Sequence, residues 1–413
     1  MAVASKSAEY NAWHAAHLPP ATLAPVRLSS WHENALQLLP KLDGLRVVEF
    51  CHTIMGPSCG YVLAELGADV IKVEAAPEGD RTRNLAGFAA GFFPCFNRGK
   101  RSLLVDLRSD RGKEIVNKLL ARSDVLIENY GPGTLERLGF GEDAVRKTNP
   151  RIIYCRLKGF LSGPYEHRPA LDEVVQYMSG LAYMTGFPGQ PIRAGSSIVD
   201  IMGGVFGVVG ILAALRERDR TGRGEMVKSS LFETAAFLVA QHMAAQAVTG
   251  SAPPPMTVRY PAWGVYEAFA TADGTPMFLG ITSDQQWERF CKALGREDLL
   301  SDPDFRDNNA RCQAKDRLTP IVAEIMASHS YDELARVFEK EVIPFSPVAK
   351  PGDLFEDPHL NSHGWLEPTR LPDGRMTKLP GIPLEMDDHK LGNGLHPPKP
   401  GEHTKEILKE LGY

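Results

Sequence analysis

LRVVEFCHTIMGPSCGYVLAELGADVIKVE, which runs from Leu45 to Glu74, predicts the architecture of the chain. Its first six residues and its last six (69–74) are apolar runs that fit buried strands, and the stretch between them carries apolar residues at helical spacing. A glycine near the end of that stretch is typical of a helix C-terminus. This segment therefore indicates a strand–helix–strand unit.

The same alternation continues along the chain. Further strands are predicted at 101–107, 124–130 and 151–160, with helical stretches such as GKEIVNKLLARS between them. Strands that alternate with helices form parallel sheets with helices on both faces. We therefore predict an α/β fold with a large Rossmann-like domain.

The pattern changes after Gly224. Residues 225–250 fit a strand followed by a long helix, and 263–281 fit two antiparallel strands around an Asp-Gly turn. A proline-rich stretch then suggests that the chain turns back. The predicted organisation is an N-terminal extension (1–43), the first part of the large domain (44–224), a smaller α+β domain (225–343) and a return to the large domain (344–413).

Composition excludes several classes of protein. The 413 residues carry a formal net charge of -5, so neither nucleic acid nor an acidic membrane surface is an obvious partner. The six cysteines form no C-x-x-C pair, and no Cys/His cluster has metal-ligand spacing. The first 43 residues lack the apolar core of a signal peptide. The sequence thus predicts a reduced, cytoplasmic protein.

Residues 201–215 form an uncharged apolar run directly after Asp200. The run is shorter than the roughly 18–20 residues that span a bilayer, so we predict no membrane segment but a buried helix, packed on every side. Asp200 fits the N-cap of that helix. It also fits a nucleophile that the helix N-terminus keeps ionised, with Gly203 and Gly204 leaving space for a ligand.

Other glycine-bearing turns are less specific. The turn CHTIMGPSCG (51–60) is not G-x-G-x-x-G, which favours a Rossmann-like scaffold without a dinucleotide. NRGKRS (97–102) could meet phosphate, although a solvated turn is the favoured interpretation. ENYGPGTLERLGF (128–140) lies where a strand ends and a helix begins, the place where open α/β sheets bind ligands.

Seven segments together resemble the family III CoA-transferases, the formyl-CoA and carnitine CoA-transferase type, a superfamily shared with α-methylacyl-CoA racemase. The resemblance covers residues 43–413, and no single segment is decisive. The segments, in the family's order, are GPSCGYVLAELGADVIKVE, NRGKRSLLVDLRSDRG, ENYGPGTLERLGFG, NPRIIYCRLKGF, GPYEHRPALDEVVQYMSGL, IVDIMGGVFGVVGILAALRERDRTGRG and GEHTKEILKELGY.

The resemblance implies a catalytic role for Asp200. In this family an aspartate at that position attacks an acyl-CoA thioester and passes through a mixed anhydride to an aspartyl-CoA thioester. CoA then moves to an incoming carboxylic acid, so coenzyme A is part of the substrate and no permanently bound cofactor is implied. The positions that match CoA contacts are His52, Ile54, Met55, Val105, Asp106, Leu107, Arg108, Asn129, Tyr130, Gly131, Arg137 and Asp172.

Three departures from the formyl-CoA enzymes bear on the substrate. Ile54 replaces a glutamine, Ala75 replaces an arginine, and their glycine-rich loop has no counterpart at 251–264. These differences argue against formyl-CoA and oxalate. A dicarboxyl-CoA such as succinyl-CoA is the predicted donor, and Arg193 and Arg259 are candidate basic residues for the acid.

The resemblance also implies an interlocked homodimer, with the small domain of one chain close to the active site of the other. Two alternatives remain open. An α-methylacyl-CoA racemase would need a histidine where this chain has Leu171, and leucine cannot exchange a proton. A non-catalytic CoA-binding protein would have no need of Asp200.

Overall fold

The computed structural model describes residues 41–413, so the predicted extension at 1–43 lies almost entirely outside the described residues. Its main feature is a sheet of six parallel strands in the order β3-β2-β1-β4-β5-β6. All five strands predicted before residue 161 are confirmed within a few residues. The strands are β1 Arg46–Phe50, β2 Asp69–Ala75, β3 Arg101–Val105, β4 Val125–Glu128, β5 Ile153–Lys158 and β6 Met226–Ser230.

The strand order places a switch point between β1 and β4. The chain moves outward from β1 through β2 to β3, and then crosses to β4 on the other side of β1. At such a point the loops after two neighbouring strands diverge and leave a crevice at the carboxyl ends of the strands, where ligands bind. The crevice here is formed by the residues that follow Phe50 and Glu128.

Helices cover both faces of the sheet, as the sequence predicts. One apolar cluster contains Val47 and Ile127, and the other contains their neighbours Val48 and Leu126, because successive strand residues point to opposite faces. The helices up to residue 249 are α1 Met55–Glu65, α2 Phe92–Phe96, α3 Asp110–Leu120, α4 Thr134–Leu138, α5 Glu142–Thr148, α6 Asp172–Met178, α7 Leu181–Thr185, α8 Ile198–Thr221 and α9 Leu231–Thr249.

Helix α8 is the apolar helix that the sequence predicts, but it is not packed on every side within the chain. Its inner face belongs to the core beside β5 and α1, whereas Val209 on its outer face is 57% exposed and Leu212 is also exposed. Among the described helices α8 alone is long and apolar enough to cross a membrane. Its buried inner face is that of a core helix.

The glycines of α8 serve helix packing and not ligand access. A Cβ atom at Gly203 would lie 2.6 Å from Cε of Met55, and one at Gly204 would lie 2.6 Å from the backbone oxygen of Met55. Helix α1 therefore contacts the backbone of α8 directly. The prediction that Gly203 and Gly204 leave space for a ligand is wrong.

The large sheet extends beyond residue 224, since β6 pairs with β5 although the sequence analysis placed it in the smaller domain. The predicted hairpin is confirmed as β7 and β8, which pair antiparallel. The remaining elements are β7 Val265–Ala270, β8 Pro276–Ile281, α10 Asp284–Ala293, α11 Asn308–Gln313, α12 Lys315–Ala327, α13 Tyr331–Lys340, β9 Phe345–Pro347, α14 Pro358–Ser362, β10 Leu366–Arg370, β11 Met376–Pro380, β12 Glu385–Met386, β13 His389–Lys390 and α15 Thr404–Glu410.

The last part of the chain packs against the first part of the sheet. The backbone N–H of His403 donates to the carbonyl of Ser102 in β3, and Ile407 of α15 is buried in the same apolar cluster as Leu103. A return of residues 344–413 to the large domain would require such contacts. The division into domains itself stays a prediction.

Candidate active site

Asp200 is the third residue of α8, and the N-cap position belongs to Ser197, whose side chain makes no capping bond. The helix start is capped instead by Asp172, whose Oδ2 accepts hydrogen bonds from the backbone N–H groups of Val199 (3.0 Å) and Asp200 (3.1 Å). The N-cap interpretation of Asp200 is therefore wrong. The side chain of Asp200 remains free for another role.

Asp172 is held in place by helix α6 and by the segment that precedes α8. Nε2 of Gln176 donates to Oδ1 of Asp172 over 2.6 Å, and Oε1 of Gln176 accepts from the backbone N–H of Ala194 over 2.8 Å. Nη2 of Arg193 lies 3.5 Å from the same Oδ1. Because Gln176 is fully buried, this arrangement fixes the start of α8 and therefore Asp200.

The two carboxyl groups interact electrostatically. Burial, and then the negative charge of Asp172, raise the pKa of Asp200 to about 7, while the positive charge of Arg193 acts in the opposite direction. Burial and the charge of Asp172 thus oppose the expectation that the helix N-terminus keeps Asp200 ionised. No described residue donates a hydrogen bond to its carboxylate, which leaves a basic carboxylate for attack on a substrate.

Three of the predicted CoA contacts meet at the switch point of the sheet. The backbone N–H of His52 donates to Oδ1 of Asn129 over 3.0 Å, and Nδ2 of Asn129 donates to the carbonyl of His52 over 2.8 Å. The rings of His52 and Tyr130 are in edge contact, with centroids 5.5 Å apart. These bonds tie the loop after β1 to the loop after β4.

Met55 connects the loop after β1 to helix α8. It is the first residue of α1, and its side chain lies against Gly203, which is one turn along α8 from Asp200 and on the same face. The contact between α1 and α8 therefore connects the loop at the switch point with the helix that carries Asp200. Both Ile54 (2% exposed) and Met55 (4% exposed) are buried, and Met55 belongs to the same apolar cluster as Val199 of α8.

The other matched positions lie at carboxyl ends of strands or near them. Val105 ends β3, and Asp106, Leu107 and Arg108 form the turn that follows it, in which Oδ1 of Asp106 accepts from the N–H of Arg108 over 3.0 Å. Gly131 is exposed after β4. Arg137 is exposed in α4, where its Nη2 donates to Oγ1 of Thr134. Contact of these residues with CoA stays a prediction.

Both interpretations of NRGKRS are wrong. Asn97, Arg98 and Lys100 are buried, so the segment is neither a solvated turn nor an open phosphate site. Nζ of Lys100 pairs with Oε2 of Glu49 over 2.7 Å, and Nη1 of Arg98 pairs with Oε2 of Glu367 over 3.3 Å. Both positive charges are therefore paired with carboxylates of the same chain.

A buried ion network beneath the first βα turn escaped the sequence analysis. Nζ of Lys72 donates to the carbonyl of Cys51 over 2.7 Å and pairs with Glu49 (3.1 Å) and Asp80 (2.9 Å). The network supports the loop that carries His52. Its signal in the sequence is a charged residue inside each of two apolar strands, since a buried charge needs a partner.

Arg259, the second candidate basic residue for the acid, lies beside a cavity. Arg259 is exposed, donates from Nη1 to the carbonyl of Met256 over 2.7 Å, and lines a cavity of about 350 Å³ with Trp263 and Lys315. Within residues 41–413 no group of three or more His, Cys, Asp and Glu side chains could hold a metal ion.

Comparison with known proteins gives consistent results. Residues 42–404 match the model of CoA-transferase family III. The chain is 33% identical over 386 residues to a succinate–glutarate CoA-transferase of Agrobacterium fabrum, which covers 90% of this chain and 96% of the relative. It is 32% identical over 387 residues, with the same coverage, to a succinyl-CoA:mesaconate CoA-transferase of Haloarcula hispanica. The crystal structure of a CAIB/BAIF family protein from Brucella suis superposes with a TM-score of 0.79, at 33% identity, over 90% of this chain and 99% of that one.

Proposed function

We propose, because the chain belongs to CoA-transferase family III, that it transfers CoA from an acyl-CoA to a carboxylic acid through a covalent thioester on Asp200. The observation that carries the proposal is the carboxylate of Asp200 at the start of α8. It is close to a second carboxylate, accepts no hydrogen bond from residues 41–413, and has its pKa raised to about 7. A raised pKa makes the ionised form a better nucleophile.

The proposed reaction has four steps. An oxygen of Asp200 attacks the thioester carbonyl, the C–S bond breaks, and CoA leaves as a thiolate, which gives a mixed anhydride. The thiolate attacks the aspartyl carbonyl and releases the first acid as a carboxylate. The acceptor carboxylate then attacks the aspartyl thioester and expels the thiolate. Attack of the thiolate on the acceptor's carbonyl forms the new acyl-CoA and regenerates Asp200.

CoA is proposed to bind along the carboxyl ends of β1, β4 and β3. The bonds between His52 and Asn129 support this placement because they shape the crevice at the switch point. Arg137 is suited to a phosphate group, since its guanidinium is exposed and its one side-chain bond among residues 41–413 is to Thr134. The thioester of the substrate would then be directed toward Asp200 at the start of α8.

A dicarboxyl-CoA such as succinyl-CoA is the proposed donor. The support is that the two relatives named above are CoA-transferases of dicarboxylic acids, and that Ile54 and Ala75 depart from the formyl-CoA enzymes. We also propose an interlocked homodimer. An apolar outer face on α8 and α9 supports it, since Val209 and Phe237 are exposed there. A cytoplasmic location stays a prediction from the cysteine content.

Leu171 argues against the alternative function, that of a racemase. It stands at the N-cap of α6, next to Asp172, and its side chain is 69% exposed. A racemase needs a proton acceptor and donor on either side of the α-carbon, and leucine can be neither. A chiral 2-methylacyl-CoA incubated in heavy water is therefore expected to keep its α-proton.

The test of the proposed function is the Asp200→Asn variant. Transfer from succinyl-CoA to a panel of carboxylic acids, read by mass spectrometry of the CoA esters, is expected to fall at least about a thousandfold, because the nucleophile is lost. The melting temperature is expected to stay equal or rise, because repulsion from Asp172 disappears. Glu173→Gln is the matched control and should retain activity. Substantial transfer by folded Asp200→Asn would contradict the proposal.

A further inference from the structure

Arg193 lies between α7 and α8, close to the carboxylates of the candidate active site. Its Nη2 donates to the carbonyl of Ser196 over 3.1 Å and lies 3.5 Å from Oδ1 of Asp172. The side chain is 24% exposed, so it is partly sheltered but can still be reached by a ligand. Its positive charge is close enough to act on the carboxyl of Asp200.

Most of the guanidinium's donors are not used by the described part of the chain. Nε of Arg193 is buried and has no hydrogen-bond partner among residues 41–413. Nη1 has only a 3.9 Å ion pair with Glu173, a carboxylate that is itself largely exposed. Arginine offers five N–H donors in a planar fork that matches a carboxylate. The donors of Nη1 are on the partly exposed side chain and make no bond shorter than 3.9 Å to residues 41–413, so they suit an anion that arrives with the substrate.

Neutralisation of Asp172 does not account for Arg193. Asp172 already accepts hydrogen bonds from Nε2 of Gln176 and from the backbone N–H groups of Val199 and Asp200, at 2.6 to 3.1 Å. The 3.5 Å separation from Arg193 is longer than the 2.7–2.9 Å or so of a charge-assisted bond. Asp172 is therefore held without Arg193, and the guanidinium remains available.

We propose that Arg193 binds the second carboxylate of a dicarboxylic substrate and so selects diacids over monoacids. The inference rests on the proposed function, since it assumes that the first carboxyl group reacts at Asp200. In that reaction the leaving acid and the entering acid occupy the same position in turn. One cation beside Asp200 would therefore serve the donor and the acceptor alike.

The test compares acids that differ only in the second carboxylate. Wild type, Arg193→Met and Arg193→Lys are assayed with succinyl-CoA and two matched pairs of acceptors: glutarate against pentanoate, and adipate against hexanoate. The pH is set well above the pKa of Asp200, so that the nucleophile is ionised in every variant. Arg220→Met, which removes an exposed arginine at the far end of α8, is the control.

The expected result is a selective loss. Arg193→Met should lower kcat/KM for each diacid by about ten- to hundredfold, the value of one or more charge-assisted hydrogen bonds, and change the monoacids by less than about threefold. Arg193→Lys should recover part of the loss, because it keeps the charge but not the fork. The control should match wild type.

Two results would overturn the inference while the proposed function stands. One is an equal loss for diacids and monoacids in a folded Arg193→Met variant, which would make Arg193 a positioning residue. The other is a wild type that uses monoacids at least as well as diacids. A wild type that transfers CoA to no acid in the panel would instead contradict the proposed function itself.

Discussion

Asp172 and Asp200 show how two identical side chains acquire different tasks from their surroundings. Asp172 accepts three short hydrogen bonds and caps α8, whereas Asp200 accepts none from the described residues and lies beside that charge. The sequence made Asp200 the candidate nucleophile by its position before an apolar helix and by the family resemblance, and that role stays a prediction. The sequence could not predict the hydrogen bond from the N–H of Asp200 to Asp172, 28 positions earlier, because this contact depends on how α6 packs on α8.

The Asp172→Asn variant tests this pairing through the pH dependence of kcat/KM for succinyl-CoA. This quantity reports the ionisation of the free enzyme, in which Asp200 carries its carboxyl group. In wild type the activity should rise with pH through about 7, as Asp200 loses its proton. Removing the neighbouring negative charge lowers the pKa of Asp200, so the rise should move to lower pH. Asparagine keeps an oxygen that can cap α8. Glu173→Gln, one residue along, should leave the profile unmoved, and an unmoved profile in Asp172→Asn would refute the coupling.

At the scale of elements, local pattern predicted the strands well and their partners less well. The five strands up to β5 are apolar runs bounded by turns, and burial on both faces makes such runs easy to identify. β6 was also recognised as a strand, but its place beside β5 follows from sheet order, which no local pattern encodes. The NRGKRS segment was misread for the same reason, since Arg98 finds its partner Glu367 far along the chain.

The exposed apolar residues of α8 and α9 predict the homodimer. Phe237 of α9 is 65% exposed, and Val248 lies further along the same helix, where every residue from Met243 to Thr249 is exposed. The Phe237→Glu/Val248→Glu double variant should therefore sediment at half the mass of wild type and lose activity, because a charge opposes burial of that face. Lys292→Glu, an exposed change outside the apolar face, should sediment like wild type. Identical masses for the double variant and wild type would place any interface elsewhere.

At the scale of the molecule, buried charges tie the first part of the chain to the last. Glu65 at the end of α1 lies beside Glu367 of β10, which pairs with Arg98 and, at 2.6 Å, with Lys390. Neither oxygen of Glu65 has a hydrogen-bond partner among residues 41–413. Burial, and then the charge of Glu367, raise the pKa of Glu65 to about 7. No local pattern in the sequence indicates this pair, because its members lie 302 positions apart.

The pair predicts a pH dependence of stability. Glu65 keeps its proton in the folded protein up to about pH 7, whereas the unfolded chain releases it near 4.5. Its contribution to stability is thus complete below about pH 4.5 and is lost as the pH rises through 7. Glu65→Gln, which cannot ionise, should have a higher Tm than wild type above pH 7 and a smaller decline between these values. Glu367→Gln should instead lower the Tm, because Arg98 and Lys390 lose their partner. Parallel Tm profiles for wild type and Glu65→Gln would contradict this account.

The most direct test of the central claim is to trap the intermediate. Wild type incubated with succinyl-CoA and no acceptor acid should form an adduct on the peptide that contains Asp200. Hydroxylamine should convert it to a hydroxamate at that side chain, and borohydride should reduce it to the alcohol, both visible as mass shifts in the digested protein. Asp200→Asn should give neither product. An adduct on Asp172 or on a cysteine, or transfer without any adduct on Asp200, would contradict the account.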